Sequence, residues 1–402
     1  MISEPQDAPS ISGPPSFTAM DISGHQIDII TSGSERLHKL LTLLNGAQRS
    51  IDLIMYIFAN DEAGQQVQAA LMAAAARGVR LRIILDRFGS STLSASFYEP
   101  LRAAGASLCF FSKRWRSSYL IRNHQKLILI DNEIVMTGGF NIAHSYLNDH
   151  SADRWLDLGV VVTGPSVIRV RKWCEQLYAY TSHDDGKILK LRRLIRRWPI
   201  SRSKVSWLIG GPTERLSPWA RALKRDVLQA RTIDMAMAYF SPGQGMLRRL
   251  GHIARTGSAH FIMAGKSDNA ATIGASRLLY GYLLKRGARI AEYSRNPFHM
   301  KLIVIDDITY VGSANFDVRS LFLNVEIMLR VVDHDFAANM RRLIHNVTIE
   351  SDIITPELHR SRAGLLTRLR WLLSFMIVSV MDYTVSRRLN FGLGENPYRD
   401  RR

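Results

Sequence analysis

Acidic residues, cysteines and long apolar runs are what this 402-residue chain is short of. Only 35 Asp and Glu stand against 53 Lys and Arg, a formal net charge of +18. That balance implies an anionic partner, either phospholipid headgroups or nucleic acid, and does not choose between them. The two cysteines, Cys109 and Cys174, lie on different elements without metal-ligand spacing. They read as reduced structural thiols in a cytosolic setting. Through Pro15 the chain is rich in Ser, Pro and acidic residues. It has neither a basic start nor an apolar core, so it does not read as a signal peptide. Residues 1–24 are expected to form a disordered lead. The apolar stretch 371–381, counting two serines, is too short to cross a bilayer as one helix.

What the chain does have is one stretch and its echo. Asn123-His124-Gln125-Lys126 runs into Leu127-Ile128-Leu129-Ile130-Asp131, then Gly138-Gly139-Phe140-Asn141. Phe298-His299-Met300-Lys301 runs into Leu302-Ile303-Val304-Ile305-Asp306, then Gly312-Ser313-Ala314-Asn315. The residues after each lysine are Leu or β-branched, the mark of a buried strand. Positions two apart on a strand share a face, so His124 points with Lys126 and His299 with Lys301. Asp131 and Asp306 fall on the opposite parity, as turn and framework carboxylates. The second copy has one residue fewer between its Asp and its Gly, which predicts a shorter hairpin loop.

The repeat extends well beyond the motif. Strand patterns at 50–58 and 78–86 flank a helix near 62–77. Strands at 232–240 and 259–264 flank a helix near 243–255. Ser50 and Thr232 are 182 positions apart, and so are Gly105 and Gly287. Between His124 and His299 the offset drops to 175, which puts about seven extra residues within 112–120. A repeat this long is a duplication, and its alternating strands and helices indicate α/β sandwiches with mixed sheets. A pseudo-two-fold axis would bring the two motifs together at one cleft.

A duplicated His-x-Lys-x4-Asp motif resembles the phospholipase D superfamily. Gly-Gly-Phe-Asn-Ile at 138–142 and Gly-Ser-Ala-Asn-Phe-Asp-x-Arg-Ser at 312–320 resemble its bacterial cardiolipin synthase group. The resemblance covers roughly residues 27–335 and is to the short type without N-terminal membrane helices. It implies an α/β fold of two phospholipase D-like α/β/α sandwich domains, related by a pseudo-two-fold, with the active site between them. The expected domains are 25–185 and 206–350, joined by a basic linker at 186–205. A basic and apolar segment follows at 351–402.

Two histidines across a cleft suit phosphodiester exchange. A neutral imidazole attacks phosphorus and the other, protonated, serves the leaving alcohol. Lys126 and Lys301 place fixed charge beside the non-bridging oxygens, where the transition state gathers negative charge. Asn141 and Asn315 add hydrogen bonds there. Cationic side chains do this without a metal, and no cofactor is expected. The resemblance keeps Asp131 and Asp306 in the candidate catalytic set. It also implies His124 as nucleophile, and Asp157 and Glu326 as the acids that orient the histidines.

The resemblance implies phosphatidyl transfer from phosphatidylglycerol, giving cardiolipin, at the cytoplasmic face of the cell membrane. The protein would be peripheral on anionic phospholipid, with no protein partner implied. Hydrolysis of phospholipid or cleavage of a nucleic-acid diester is the alternative. The linker segment 187–204 reads equally as a solvated helix or a phosphate-facing patch. The insertion with Arg114, Trp115 and Arg116 reads as a cleft cover or as an exposed loop. Residues 364–381, with Trp371 at the edge and arginines on both flanks, read as a helix in the membrane interface. The competing reading is a helix packed on the second half.

Overall fold

A computed structural model describes residues 18–111, 121–151, 153–183 and 188–380. The insertion carrying Arg114, Trp115 and Arg116 lies outside the described residues, as do 1–17 and 381–402.

In the first half, β1 (Met20–Ile22), β2 (His25–Ile30) and α1 (Gly33–Gly46) lead into β3 (Ser50–Met55) and α2 (Glu62–Ala76). Next come β4 (Arg80–Asp86), α3 (Ala95–Ala103), β5 (Ser107–Phe111), β6 (Lys126–Ile130) and β7 (Ile134–Gly138). The half closes with β8 (Gly159–Thr163), α4 (Val167–Ser182) and α5 (Ile188–Arg196). The second half opens with β9 (Val205–Gly210), α6 (Pro218–Gln229), β10 (Thr232–Met237), β11 (Phe240–Ser241) and α7 (Gln244–Thr256). It continues through β12 (Ser258–Ala264), α8 (Ala270–Leu284), β13 (Arg289–Tyr293), β14 (Lys301–Ile305) and β15 (Ile308–Gly312). β16 (Phe316–Asp317), α9 (Val318–Phe322), β17 (Glu326–Val332) and α10 (His334–Ile349) follow. The last described elements are β18 (Asp352–Ile353), α11 (Pro356–Arg362) and α12 (Leu365–Val380).

Each half builds one eight-stranded mixed sheet. The order β2-β8-β7-β6-β3-β4-β5 matches β9-β17-β15-β14-β10-β12-β13 strand for strand. Even the register repeats: Lys126 pairs with Met55, and Lys301 with Met237. The strands β3, β6 and β14 are buried along their whole length. Their near-continuous Ile, Leu and Val runs fit a sheet covered on both faces. Helices α1–α3 cover the outer face of the first sheet. Helices α6–α8 cover that of the second. The inner faces share one core with α4, α5 and α10.

The hairpin loops differ as the spacing predicts. Asp131, Asn132 and Glu133 separate β6 from β7, whereas only Asp306 and Asp307 separate β14 from β15. Asp131, Asn132 and Asp306 take left-handed φ of 52°, 62° and 46°, which Asp and Asn tolerate better than most residues.

Three boundaries differ from expectation. The disordered lead does not extend to residue 24, because Met20–Ile22 pairs with β2 through a turn at Ser23-Gly24. The linker is more than a solvated helix: Leu191, Ile195 and Trp198 are buried in the shared core, and the Trp198 indole donates to the carbonyl of Trp207 at 2.8 Å. Residues 351–380 do not stand apart from the second half. β18 joins the edge of its sheet, and α12 packs on α8 with Trp371 and Ser374 turned inward. Trp371 stacks on His359 at 5.4 Å instead of facing outward. Among the described residues no helix is long and apolar enough to cross a membrane.

Candidate active site

Where the halves meet, the backbone ties each motif to the opposite half. The amide of His124 donates to Val325 O at 2.9 Å, and the amide of Val325 to Arg122 O at 2.8 Å. The equivalent pair is the amide of His299 to Leu156 O at 2.8 Å and the amide of Leu156 to Pro297 O at 2.9 Å. These reciprocal bridges, Asn123 with Val325 and Leu156 with Phe298, are what a pseudo-two-fold interface produces. The histidines themselves precede the ladders of β6 and β14, which begin at Lys126 and Lys301.

The bridges carry a consequence for the acids. His124 Nδ1 lies 3.1 Å from Glu326, and His299 Nδ1 lies 2.7 Å from Asp157. Each histidine is therefore held by the acid of the other half. A carboxylate only accepts, so Nδ1 carries the proton and the lone pair stays on Nε2. Asp157 sits low for a carboxylate. Burial works against ionisation, but His299, Lys301 and Arg36 outweigh it. Arg36 also fixes the backbone there, donating to the carbonyls of Asp157 at 2.7 Å and Tyr146 at 2.7 Å.

The Gly-Gly versus Gly-Ser difference between the motifs follows from these acids. A Cβ at Gly139 would come within 2.4 Å of Asp157 Oδ1, so the short carboxylate leaves room only for glycine. At the equivalent place Ser313 fits, and its hydroxyl donates to the longer Glu326.

Lys126 and Lys301 lie under the histidines, fully buried. Each ammonium donates to the carbonyl of its own motif's histidine, at 2.8 and 2.6 Å. Burial, and beyond it the like charge of Lys301, lowers Lys126 to about 7 despite Glu326. Burial lowers Lys301 to about 8. Burial and then Lys301 push His299 down to about 3, against the pull of Asp157. Burial and Lys126 also lower His124, against Glu326. Burial thus favours the neutral form of both imidazoles.

The two histidines, Asn141 and Asn315 line one cleft of about 550 Å³. Asn141 Oδ1 accepts from the amide of Ile57 at 3.3 Å, just beyond β3. Asp131 and Asp306 are not there. Asp131 accepts from the amides of Gln48, Arg49 and Ser50, and Asp306 from those of Arg231 and Thr232. They pin the start of β3 and of β10, and their place in the candidate catalytic set is corrected to a framework role. Parity had pointed that way.

Several cleft residues carried no such spacing signal. Tyr56 meets His124 edge-on at 4.8 Å. Tyr146, Trp155 and Tyr239 surround His299 at 5.1, 5.2 and 6.2 Å. Arg122 and Arg319 line the cleft too. Arg319 belongs to the 312–320 motif, but nothing in the spacing says where it points.

The arrangement has known counterparts. The family model described as "Cardiolipin synthase, PLD-like domain" matches residues 40–178 and 226–348. Cardiolipin synthase B of Salmonella typhi is 30% identical over 345 residues, covering 81% of each chain. The major cardiolipin synthase ClsA of Bacillus subtilis (strain 168) is 30% identical over 324 residues, covering 79% of this chain and 67% of that one. The fold is similar to that of phosphatidylserine synthase from Haemophilus influenzae Rd KW20. There the TM-score is 0.69 at 14% identity, over 89% of this chain and 95% of that one. With the family model spanning most of both halves, the chain belongs to the phospholipase D superfamily, as a cardiolipin synthase-like phosphatidyltransferase.

Proposed function

We propose that the protein makes cardiolipin from two molecules of phosphatidylglycerol through a phosphohistidine. The observation that supports this most is the pair of imidazoles lining one cleft, each held at Nδ1 by an acid of the other half. One imidazole attacks the donor phosphorus, the P–O bond to glycerol breaks, and the other histidine supplies the proton that glycerol carries away. That second histidine then takes the proton of the incoming phosphatidylglycerol hydroxyl, whose oxygen displaces the first histidine from phosphorus. The negative charge of the bound phosphodiester raises the histidine pKa values, which allows one imidazole to hold the second proton. Lys126 and Lys301 stabilise charge on the non-bridging oxygens, with Asn141 and Asn315 as further donors. The family resemblance makes His124 the nucleophile.

The enzyme acts peripherally, on the membrane surface that supplies both substrates. Supporting this, one face of α12 exposes Leu365, Leu366, Leu369, Leu372, Leu373 and Met376, with Arg368 and Arg370 exposed beside them. The opposite face reaches the cleft through Val378.

Purified full-length protein incubated with labelled phosphatidylglycerol vesicles tests the reading. The expected products are cardiolipin and free glycerol in equal amounts. Phosphatidic acid as the only lipid product would make the protein a hydrolase. No lipid product, with cleavage of a labelled oligonucleotide, would make it a nuclease.

A further inference from the structure

The helix pair α8 and α12 borders two cavities, one at each end. Thr272 of α8 and Val378 of α12 line the cleft. Further along, Leu278 of α8 and Trp371 of α12 line a groove of about 560 Å³ that shares no residue with the cleft. Helix α11 closes it from the side: a Cβ at Gly281 would come within 3.1 Å of His359 Nε2, and His359 stacks on Trp371. Leu278, Tyr282 and Trp371 give the groove an apolar floor, and Lys285, Arg286 and Arg368 line it beside them. Arg286 lies over the Tyr282 ring, 3.6 Å from its centroid, and donates to Tyr282 O at 3.1 Å. A fourth cation, Arg360, is paired with Glu357 at 2.9 Å on the exposed side of α11. Glu292 lies outside the lining, and Arg277 binds both of its oxygens. With Glu357 counted, the groove is still strongly net positive.

The charge calls for an anion, and the floor calls for apolar surface attached to it. The first turns of α12 add more of the same: Leu365, Leu366 and Leu369 are 87%, 73% and 53% exposed around Arg368. A nucleic acid would meet the cations and leave those leucines in water. A phospholipid brings a phosphate for the cations and chains for the floor. We propose that the groove seats one anionic glycerophospholipid that is held and not consumed, its phosphate against Lys285, Arg286 and Arg368 and its chains along Leu278 and Trp371. From Trp371 the rise of α12 to Val378 at the cleft is about 10 Å. A lipid held there pins the protein on the bilayer with the cleft close to the lipid surface. The inference rests on the membrane-surface reading of α12 and is independent of the transfer chemistry.

The test is photo-cross-linking of full-length protein. Vesicles of phosphatidylglycerol and phosphatidylcholine carry a trace of phosphatidylglycerol with a photoreactive acyl chain. Adducts are expected on α8 between Leu278 and Arg286. Leu278→Trp fills the groove without changing its charge and is expected to cut those adducts about tenfold or more. Lys285→Gln with Arg368→Gln is expected to do the same. Lys172→Gln with Arg193→Gln removes equal charge from α4 and α5 and is expected to change them by no more than about twofold. Adducts that survive Leu278→Trp, or that fall equally with the α4–α5 pair, overturn the groove. Adducts confined to the outward residues of α12 overturn it too, and leave the membrane reading standing. Should the variants not fold, wild type is offered photoreactive phosphatidylglycerol and photoreactive phosphatidylcholine in equal amounts. Preference for the anionic lipid on α8 by about tenfold or more supports the site, and equal labelling overturns it. If no adduct forms anywhere, α12 does not meet lipid and the groove falls with that reading. Cardiolipin formation by wild type on detergent-dispersed phosphatidylglycerol is scored separately. Its absence would sink the transfer reading, while the adducts still decide the groove.

Discussion

The two ends of the cleft hold the same chemistry in different surroundings. His299 is 5% exposed and walled by three aromatic rings, and it is pushed down to about 3. His124 is 12% exposed and has one tyrosine beside it, with two arginines on its end of the wall. His, Lys, Asn and an acid recur in each half, as a transition state with charge on shared oxygens requires. The flanks, which meet the rest of the substrate, have diverged. Because the acids cross over, neither half is complete: each histidine depends on the other half for its tautomer.

The strongest way to break this picture is to find one half working alone. His124→Ala and His299→Ala are each expected to cut turnover at least ~10⁴-fold, with the double variant little worse, because groups that act as a unit are not additive. Residual activity within tenfold of wild type in either variant, measured with labelled phosphatidylglycerol, would mean the histidines do not cooperate. Label trapped under alkaline quench, where the phosphorus–nitrogen bond survives, is expected on the His124 peptide. Label on the His299 peptide would reverse the roles and leave the chemistry intact.

The crossover of the acids gives the next largest effect. Glu326→Gln and Asp157→Asn keep size but no longer demand the Nδ1 proton. Each is expected to lower kcat by ~10²–10⁴ while the melting transition stays cooperative. If His124 is the nucleophile, Glu326→Gln reduces the trapped label on that peptide, although the two residues belong to different halves. Loss of label only with Asp157→Asn would show that orientation runs within a half.

The buried lysines sharpen the comparison through pH. Both are needed protonated, and their pKa values of about 7 and about 8 lie far below the ordinary lysine range. A lysine is charged below its pKa, so the cationic floor is intact at low pH and is lost as pH rises. The kcat/KM profile, which reports free enzyme, is expected to fall on the alkaline side from about pH 7–8. The kcat profile should fall at higher pH, because bound phosphodiester favours the charged lysines. Profiles flat to pH 10 in both constants would remove the lysines from this role. Activity is expected to be unchanged by chelators.

Much of this is legible in the sequence alone. The histidine and lysine pairs, the buried strands behind them and the two-fold arrangement follow from spacing and from period-two logic, and Asp131 and Asp306 declared themselves by parity. The crossover did not, because sequence separation links an acid to its own half, while the Asn123–Val325 and Leu156–Phe298 bridges exist only after the halves dock. The aromatic wall of His299 has the same origin: Tyr146, Trp155 and Tyr239 come from three separate segments. Met20–Ile22 is three residues long, too short for a periodic signal, and it is a strand because β2 offers an edge. Trp371 was misplaced because an apolar helix with arginine flanks looks alike whether its tryptophan meets lipid or α8.

That helix supplies the smallest effect and a further difference between the halves, since it packs on α8 of the second. Its two faces separate by position. Trp371, Ser374 and Val378 turn toward the protein, and Ser374 Oγ lies 2.7 Å from where a Cβ at Gly274 would sit. Leu369, Leu373 and Met376 turn outward, 53%, 45% and 46% exposed. An inward change should act on folding: Trp371→Ala is expected to cost about 3–5 kcal/mol of stability, as emptying a buried Trp site does. An outward change should act on the bilayer. Full burial of a large apolar side chain contributes roughly 1.5–3 kcal/mol, so half-exposed residues have about half of that left to gain from lipid. Each exposed arginine adds about 1 kcal/mol near anionic headgroups. Replacing Leu369, Leu373 and Met376 by Ser together should weaken binding to phosphatidylglycerol vesicles at least ~10-fold, while moving stability by no more than ~1 kcal/mol. Turnover on detergent-dispersed substrate should fall less than turnover on vesicles. Vesicle co-sedimentation and a thermal melt of the same preparation decide it. If the triple variant sediments like wild type, the outward face of α12 does not meet lipid. If it melts early instead, that face is covered by protein.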